Sequence, residues 1–343
     1  MNFRLPRLAA VAAALTLPLV AASCGTSDTP GSGASDGGSG EDKLAVVASF
    51  YPLAHAVERV GGERVEVNNL TREGQDPHHL ELTPQQVATV QKADLVVYEK
   101  GMQPAADGAI EAAKPASALD LSVIADLPAA ATQIVGDADH ADEHADHAHD
   151  ADHADADEHA DDADHAADDG HDHGPNDPHF GLDPQRYAQA VEKVAQQLGA
   201  VDPAGAATYT ANAQAFTKEL TDLDGKLEAG LRTCAQRTIV TGHTAFGYLA
   251  DRYKLNQVGL AGVLNEGEAD PARIAEVVKY VKANRIATIY AEEGETQASL
   301  DTVAREAGVE VGTLDNLSIT KEAGYVGRME ANLETLRAGQ GCS

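Results

Sequence analysis

From Lys43 onward the chain alternates short apolar runs with stretches of helical periodicity. Leu44 to Ala48 is continuously apolar, the pattern of a parallel strand buried on both faces, and Tyr51 to Val60 follows at helical spacing until Gly61-Gly62 stops it. Val65, Val67 and Leu70 mark a second strand, and Leu95 to Tyr98 a third. Between them Thr83-Pro84 opens a helix through Gln91, with Thr83 as N-cap and Pro84 in the first turn. Asp183-Pro184 starts another helix. Asp202-Pro203 starts one that runs to Arg232, some 30 residues or roughly 45 Å at 1.5 Å each, with Gly225 as its one weak point. The alternation then resumes. Thr238 to Thr241 is a strand, the helix from Asp270-Pro271 carries Ile274, Val277, Val278 and Val281 on one face, and Ile286 to Tyr290 and Val309 to Leu314 are further strands. This pattern predicts an α/β protein of two lobes, each a parallel sheet flanked by helices, joined by a long rigid helix. The expected boundaries are 43–182 for the first lobe, 183–232 for the helical linker and 233–343 for the second lobe.

The start of the chain follows a different pattern. Arg4 and Arg7, a mostly apolar stretch from Leu8 to Val20 and the small residues Ala21-Ala22-Ser23 read as a secretory signal over 1–23. Pro18 and the shortness of the apolar stretch argue against a membrane span, which needs roughly 20 apolar residues. Cys24, behind three small residues and before Gly25, has the look of a lipidated cysteine, although Ala21 stands where Leu is commoner. Residues up to 42 are rich in Gly, Ser, Asp and Thr and are expected to form a flexible tether. An exported chain with two further cysteines, Cys234 and Cys342, is expected to pair them; two free thiols are the alternative. Closing that loop of about 109 residues is worth roughly 4–5 kcal/mol on the chain-entropy model.

The formal net charge of −30 excludes an electrostatic grip on nucleic acid. More than half of it comes from the tract 137–173, which holds 16 acidic residues and no Lys or Arg. The charge therefore describes an insert rather than the fold. With only Asp, Glu, His, Ala and Gly the tract cannot build a core, and the irregular spacing of its histidines suits several weak, exchanging cation sites.

That tract also takes nine of the fourteen histidines, so the remaining five stand out. His78 and His179 each follow Asp-Pro, and His243 ends the apolar run Ile239-Val240-Thr241-Gly242. In parallel α/β sheets ligand sites gather at the carboxyl ends of strands, and there His78 and His179 from one half could meet His243 and Asp315 from the other. Three imidazoles and a carboxylate suit four-coordinate zinc, whereas a carboxylate at 243 would favour manganese. His79 is an alternative to His78, His55 reads as structural, and Asp315 is equally suited to capping a loop.

Four segments then resemble a known family. Gly74 to Glu81, Asp177 to Pro184 and Thr241 to Leu249 are similar, in order, to the three metal-ligand motifs of the zinc and manganese solute-binding proteins of ABC transporters, and Gly312 to Leu317 is similar to the fourth. Leu80 and Phe180-Gly181 depart from that pattern without touching the ligands. The resemblance implies a non-enzymatic protein with His78, His179, His243 and Asp315 around Zn2+. It further implies a monomeric lipoprotein held outside the bacterial cell membrane by its lipid anchor, passing zinc to a permease driven by a cytoplasmic ATPase. A surface zinc buffer working through the tract and a secreted zinc hydrolase are the rival readings; the hydrolase lacks a His-Glu-x-x-His string or similar.

Overall fold

The computed structural model describes residues 43–72, 75–128, 133–134, 176–262, 269–293, 298–318 and 323–343. The signal segment 1–23, Cys24, the tether to 42 and the tract 137–173 lie outside the described residues.

The first half places β1 (Leu44–Ala48), α1 (Tyr51–Gly61), β2 (Val65–Asn69), α2 (Pro84–Lys92), β3 (Leu95–Tyr98), α3 (Pro104–Ala113) and β4 (Ala118–Asp120) in succession. Its four strands are all parallel in the order β2-β1-β3-β4. Val46, Val47, Ala48, Leu95, Val96 and Val97 are all buried, so the two central strands contact side chains on both faces, as their unbroken apolar runs require. Thr83 caps α2 in a reciprocal box, its hydroxyl accepting from Gln86 N while the Gln86 side chain accepts from Thr83 N at 3.0 Å.

After β5 (Gln133–Ile134) come α4 (Pro184–Val201), α5 (Ala206–Leu231), β6 (Thr238–Thr241), α6 (Gly247–Arg252), β7 (Asn256–Gly259), α7 (Pro271–Ala283), β8 (Thr288–Glu292), α8 (Ala298–Ala307), β9 (Glu310–Leu314) and α9 (Gly324–Gln340). The second sheet is also parallel, in the order β5-β7-β6-β8-β9. The first-lobe boundary is thus not respected by β5. Its two residues precede the tract, yet they pair with Val258 and Gly259 of β7 and cover what would otherwise be an open sheet edge.

The long helix also differs from expectation. It begins at Ala206 rather than at Pro203: Asp202 Oδ1 accepts Ala204 N and its carbonyl accepts Gly205 N, each at 3.1 Å, holding a turn, while Oδ2 receives Arg64 at 2.8 and 2.9 Å and the Tyr209 hydroxyl at 2.7 Å. Residues 203–205 turn the chain, and α5 returns along α4. Far from being a bare strut, α5 packs on α1, α4 and α9. Tyr209, Ala213, Phe216, Leu220, Leu223, Leu227 and Leu231, three or four residues apart, form its buried stripe. The main core runs through elements of both halves around this helix. Cys234 and Cys342 are joined, and the backbone beside them pairs, with Gln236 N donating to Gln340 O at 3.0 Å and Ser343 N to Thr233 O at 3.1 Å. Among the described residues no helix is long and apolar enough to cross a membrane.

Candidate metal centre

Asp76-Pro77-His78 and Asp177-Pro178-His179 fold alike. In each, the aspartate Oδ1 accepts the backbone N–H of the histidine two residues on at 2.8 Å, a local turn that aims the imidazole away from its own backbone. The first turn is braced from β3's side, where Gln103 donates to Pro77 O at 3.0 Å and to the Thr71 hydroxyl at 2.8 Å, and that hydroxyl donates to Ser49 O. The second is clamped by the other half of the molecule: Tyr248 and Tyr325 donate their hydroxyls to Asp177 O and Gly181 O, each at 2.8 Å. His243 leaves the end of β6, where the Thr241 hydroxyl and the Gln257 amide both donate to its carbonyl. Gly259 passes so close to this turn that a Cβ there would lie 2.5 Å from Thr244 Cγ2 and 2.7 Å from Ala261 O.

The three imidazoles converge. One nitrogen from each of His78, His179 and His243 lies within 4.8 Å of the others, and the Nε2 atoms of His78 and His179 are 3.3 Å apart. Ring centroids are separated by 5.3, 5.4 and 6.2 Å, with every pair of rings steeply inclined. Nitrogen atoms so placed and aimed from three directions can surround one cation. Burial first, then the neighbouring imidazoles of His179 and His243, holds the pKa of His78 well below the ordinary histidine range. The neutral, metal-binding form is favoured.

Carboxylates stand behind two of the rings. Asp177 Oδ1 is 2.7 Å from His179 Nδ1, and Glu292 Oε2 is 2.8 Å from His243 Nδ1 while its Oε1 accepts the His243 backbone N–H at 2.9 Å. Burial pushes the Glu292 carboxyl up, but the charge of His243 and its hydrogen bonds to His243 and Asn316 outweigh that and leave it below its ordinary value. Each carboxylate fixes the tautomer and angle of its ring so that Nε2 is presented inward. In the sequence Asp177 is legible only as a turn residue, and the one local sign of Glu292 is an acid closing the apolar run Ile289-Tyr290-Ala291. Tyr248 and Tyr325 gave no local sign.

The other candidates lie elsewhere. His79 is largely exposed, 3.7 Å from Asp76, so the choice between the adjacent histidines falls to His78. His55 is enclosed among Tyr51, Tyr187, Phe216 and Tyr325, 3.1 Å from the Tyr187 hydroxyl, and burial lowers its pKa to about 4. Asp315 is outside the converging group, its carboxylate on Arg328. A cavity of about 30 Å³ abuts His78 and His179, lined mainly by apolar side chains such as Phe50, Met102 and Leu317 and by one acid, Glu99. Both Glu99 oxygens are buried without a hydrogen-bond partner among the described residues, and burial holds its carboxyl well above the ordinary range.

The family model for component A of periplasmic zinc-uptake complexes, ZnuA, matches residues 46–339. The chain belongs to the ZnuA family. It is similar to the zinc-binding lipoprotein AdcA of Streptococcus pneumoniae, with 33% identity over 307 residues that cover 87% of this chain and 56% of AdcA. The chain therefore spans little more than half the length of that relative. It is 31% identical over 325 residues to the high-affinity zinc uptake system protein ZnuA of Bacillus subtilis, covering 93% of each. Among solved structures, Zn(II)-bound AdcA of S. pneumoniae superposes with a TM-score of 0.65 at 30% identity, over 87% of this chain and 58% of AdcA. The laminin-binding protein Lmb of Streptococcus agalactiae, described as an adhesin with metal-transporting activity, superposes at 0.69 and 26% identity over 87% of this chain and all of Lmb. ZnuA-family proteins are solute-binding proteins, not enzymes.

Proposed function

We propose that this chain captures Zn2+ outside the cytoplasm, in a cleft between its two halves, and passes it to an ABC permease. The observation that carries the reading is the convergence of His78, His179 and His243 within 4.8 Å, each from a separate segment. Three converging imidazoles match zinc, and among the described residues no carboxylate joins the converging group to favour manganese. The zinc-binding names of AdcA and Bacillus ZnuA support the same cargo, and AdcA's description as a lipoprotein supports a lipid anchor at Cys24. Because the braces behind the rings are buried and cross-linked between the halves, uptake and release by small movements of the site loops fit better than wide hinge opening. The tract 137–173 serves as an auxiliary cation collector, not as the tight site.

Zinc competition against a chromophoric chelator tests this on the mature chain, on a deletion of 137–173 and on a His78→Ala, His179→Ala, His243→Ala variant. One tight zinc, resistant to manganese, retained in the deletion and lost in the triple variant, is the expected result. Loss of the tight zinc with the tract would instead make the tract the working part and favour a buffer. Protons compete with zinc for the same imidazole nitrogens, so affinity should fall as pH drops below about 6.5.

A further inference from the structure

The loop after β9 carries an acid whose partner is a cation of the protein itself. Both oxygens of Asp315 are taken by Arg328 on α9: Nε donates to Oδ2 at 2.5 Å and Nη2 donates to Oδ1. Leu317 N donates to Oδ1 at 2.8 Å. Asn332, one turn further along α9, grips the same peptide from both sides, its Oδ1 accepting from Asp315 N and its Nδ2 donating to Asp315 O, each at 2.7 Å. Arg328 is 3% exposed and lies over the Tyr51 ring of α1, 4.5 Å from its centroid. Pulling the carboxylate away toward a metal would strand a buried guanidinium, one of the costliest changes a core can suffer.

The loop held in this way leads back to the imidazoles. Asn316 donates to Glu292 Oε2 at 3.1 Å, and that same oxygen lies 2.8 Å from His243 Nδ1. The next residue, Leu317, has φ of 67°, a left-handed backbone that a branched side chain adopts only when its surroundings hold it there, and its buried side chain closes the cavity beside His78 and His179. An unbroken series of contacts thus runs Arg328, Asp315, Asn316, Glu292, His243.

We infer that Arg328 and Asp315 are positioning residues: their ion pair fixes the turn that sets Asn316 on Glu292 and so orients the His243 ring, while Asp315 stays out of the metal shell. The inference rests on the three-histidine reading above.

A crystal structure of the zinc-loaded mature chain, with zinc competition on Arg328→Gln, Arg328→Lys, Asp315→Asn, Glu292→Gln and the Asp315→Asn, Glu292→Gln double variant, tests it. The expected structure has zinc on the three histidines with Asp315 still on Arg328. Arg328→Gln and Asp315→Asn should each weaken zinc about tenfold, as loss of an outer partner does, with Arg328→Lys restoring part of the loss. The double variant should lose no more than Glu292→Gln alone, because both changes act through one ring. An Asp315 oxygen on zinc, or tighter zinc in Arg328→Gln, would overturn the inference while leaving the three-histidine site standing. Zinc bound away from the histidines would remove both. Should the Arg328 variants fail to fold, the position of Asp315 in the loaded wild type still decides.

Discussion

Glu99 is the residue whose environment contrasts most with its chemistry. Its carboxyl is buried beside the imidazoles with no partner among the described residues, and burial raises its pKa far above the ordinary 4.5. Above that value the unfolded chain releases this proton and the folded chain keeps it, so rising pH favours unfolding through this group. Glu99→Gln keeps the shape and removes the proton linkage. In the metal-free protein it should raise the melting temperature at pH 7.5 by about 2 °C or more, with the gain shrinking toward pH 4.5. An equal shift at both pH values in thermal melts would mean that packing, not ionisation, sets the effect. At this scale the sequence disclosed the converging imidazoles better than what holds them. His78, His179 and His243 are conspicuous because so few histidines lie outside the tract, and two carry the same Asp-Pro prefix. Glu292 and Arg328 reach their partners across 49 and 13 residues and belong to no local pattern, so only the folded chain reveals them.

At the scale of elements, continuous apolar runs gave β1, β3 and β6 within a residue or so, because a strand buried on both faces must be apolar throughout. Amphipathic elements were harder. The spacing of α9 is diluted by polar groups that turn inward, Arg328, Asn332 and Gln340 among them, so its period is not an apolar one. The strand β5 has only two residues and takes its identity from its neighbour β7. The start of α5 follows a turn over 203–205 that Asp202 caps with one carboxylate oxygen while the other binds Arg64, 138 residues away. What keeps α5 in place is its apolar stripe. Leu220→Ala, at a fully buried position of that stripe, should cost about 2–5 kcal/mol in urea denaturation. A loss below 1 kcal/mol would show that neighbouring helices close the gap.

For the molecule as a whole, the bond between Cys234 and Cys342 encloses 108 residues of sequence, nearly the entire second sheet with its helices. A Cys234→Ser, Cys342→Ser variant should fold, since the backbone pairing of 233–236 with 340–343 remains, but be less stable by about 4 kcal/mol because the unfolded chain regains its freedom. An unchanged denaturation midpoint would mean that the reduced chain is already constrained. A last consequence concerns timing. His78 and His179 are 101 residues apart in the chain, and His243 follows only after two long helices. Short zinc modules carry their ligands within a few turns, so the ion can nucleate them. Here the three donors meet only after both sheets and the helices between them have docked. On the reading proposed above, the ion therefore arrives last, as a seal on a finished molecule, and a half-folded chain has no assembled three-histidine trap with which to compete for it.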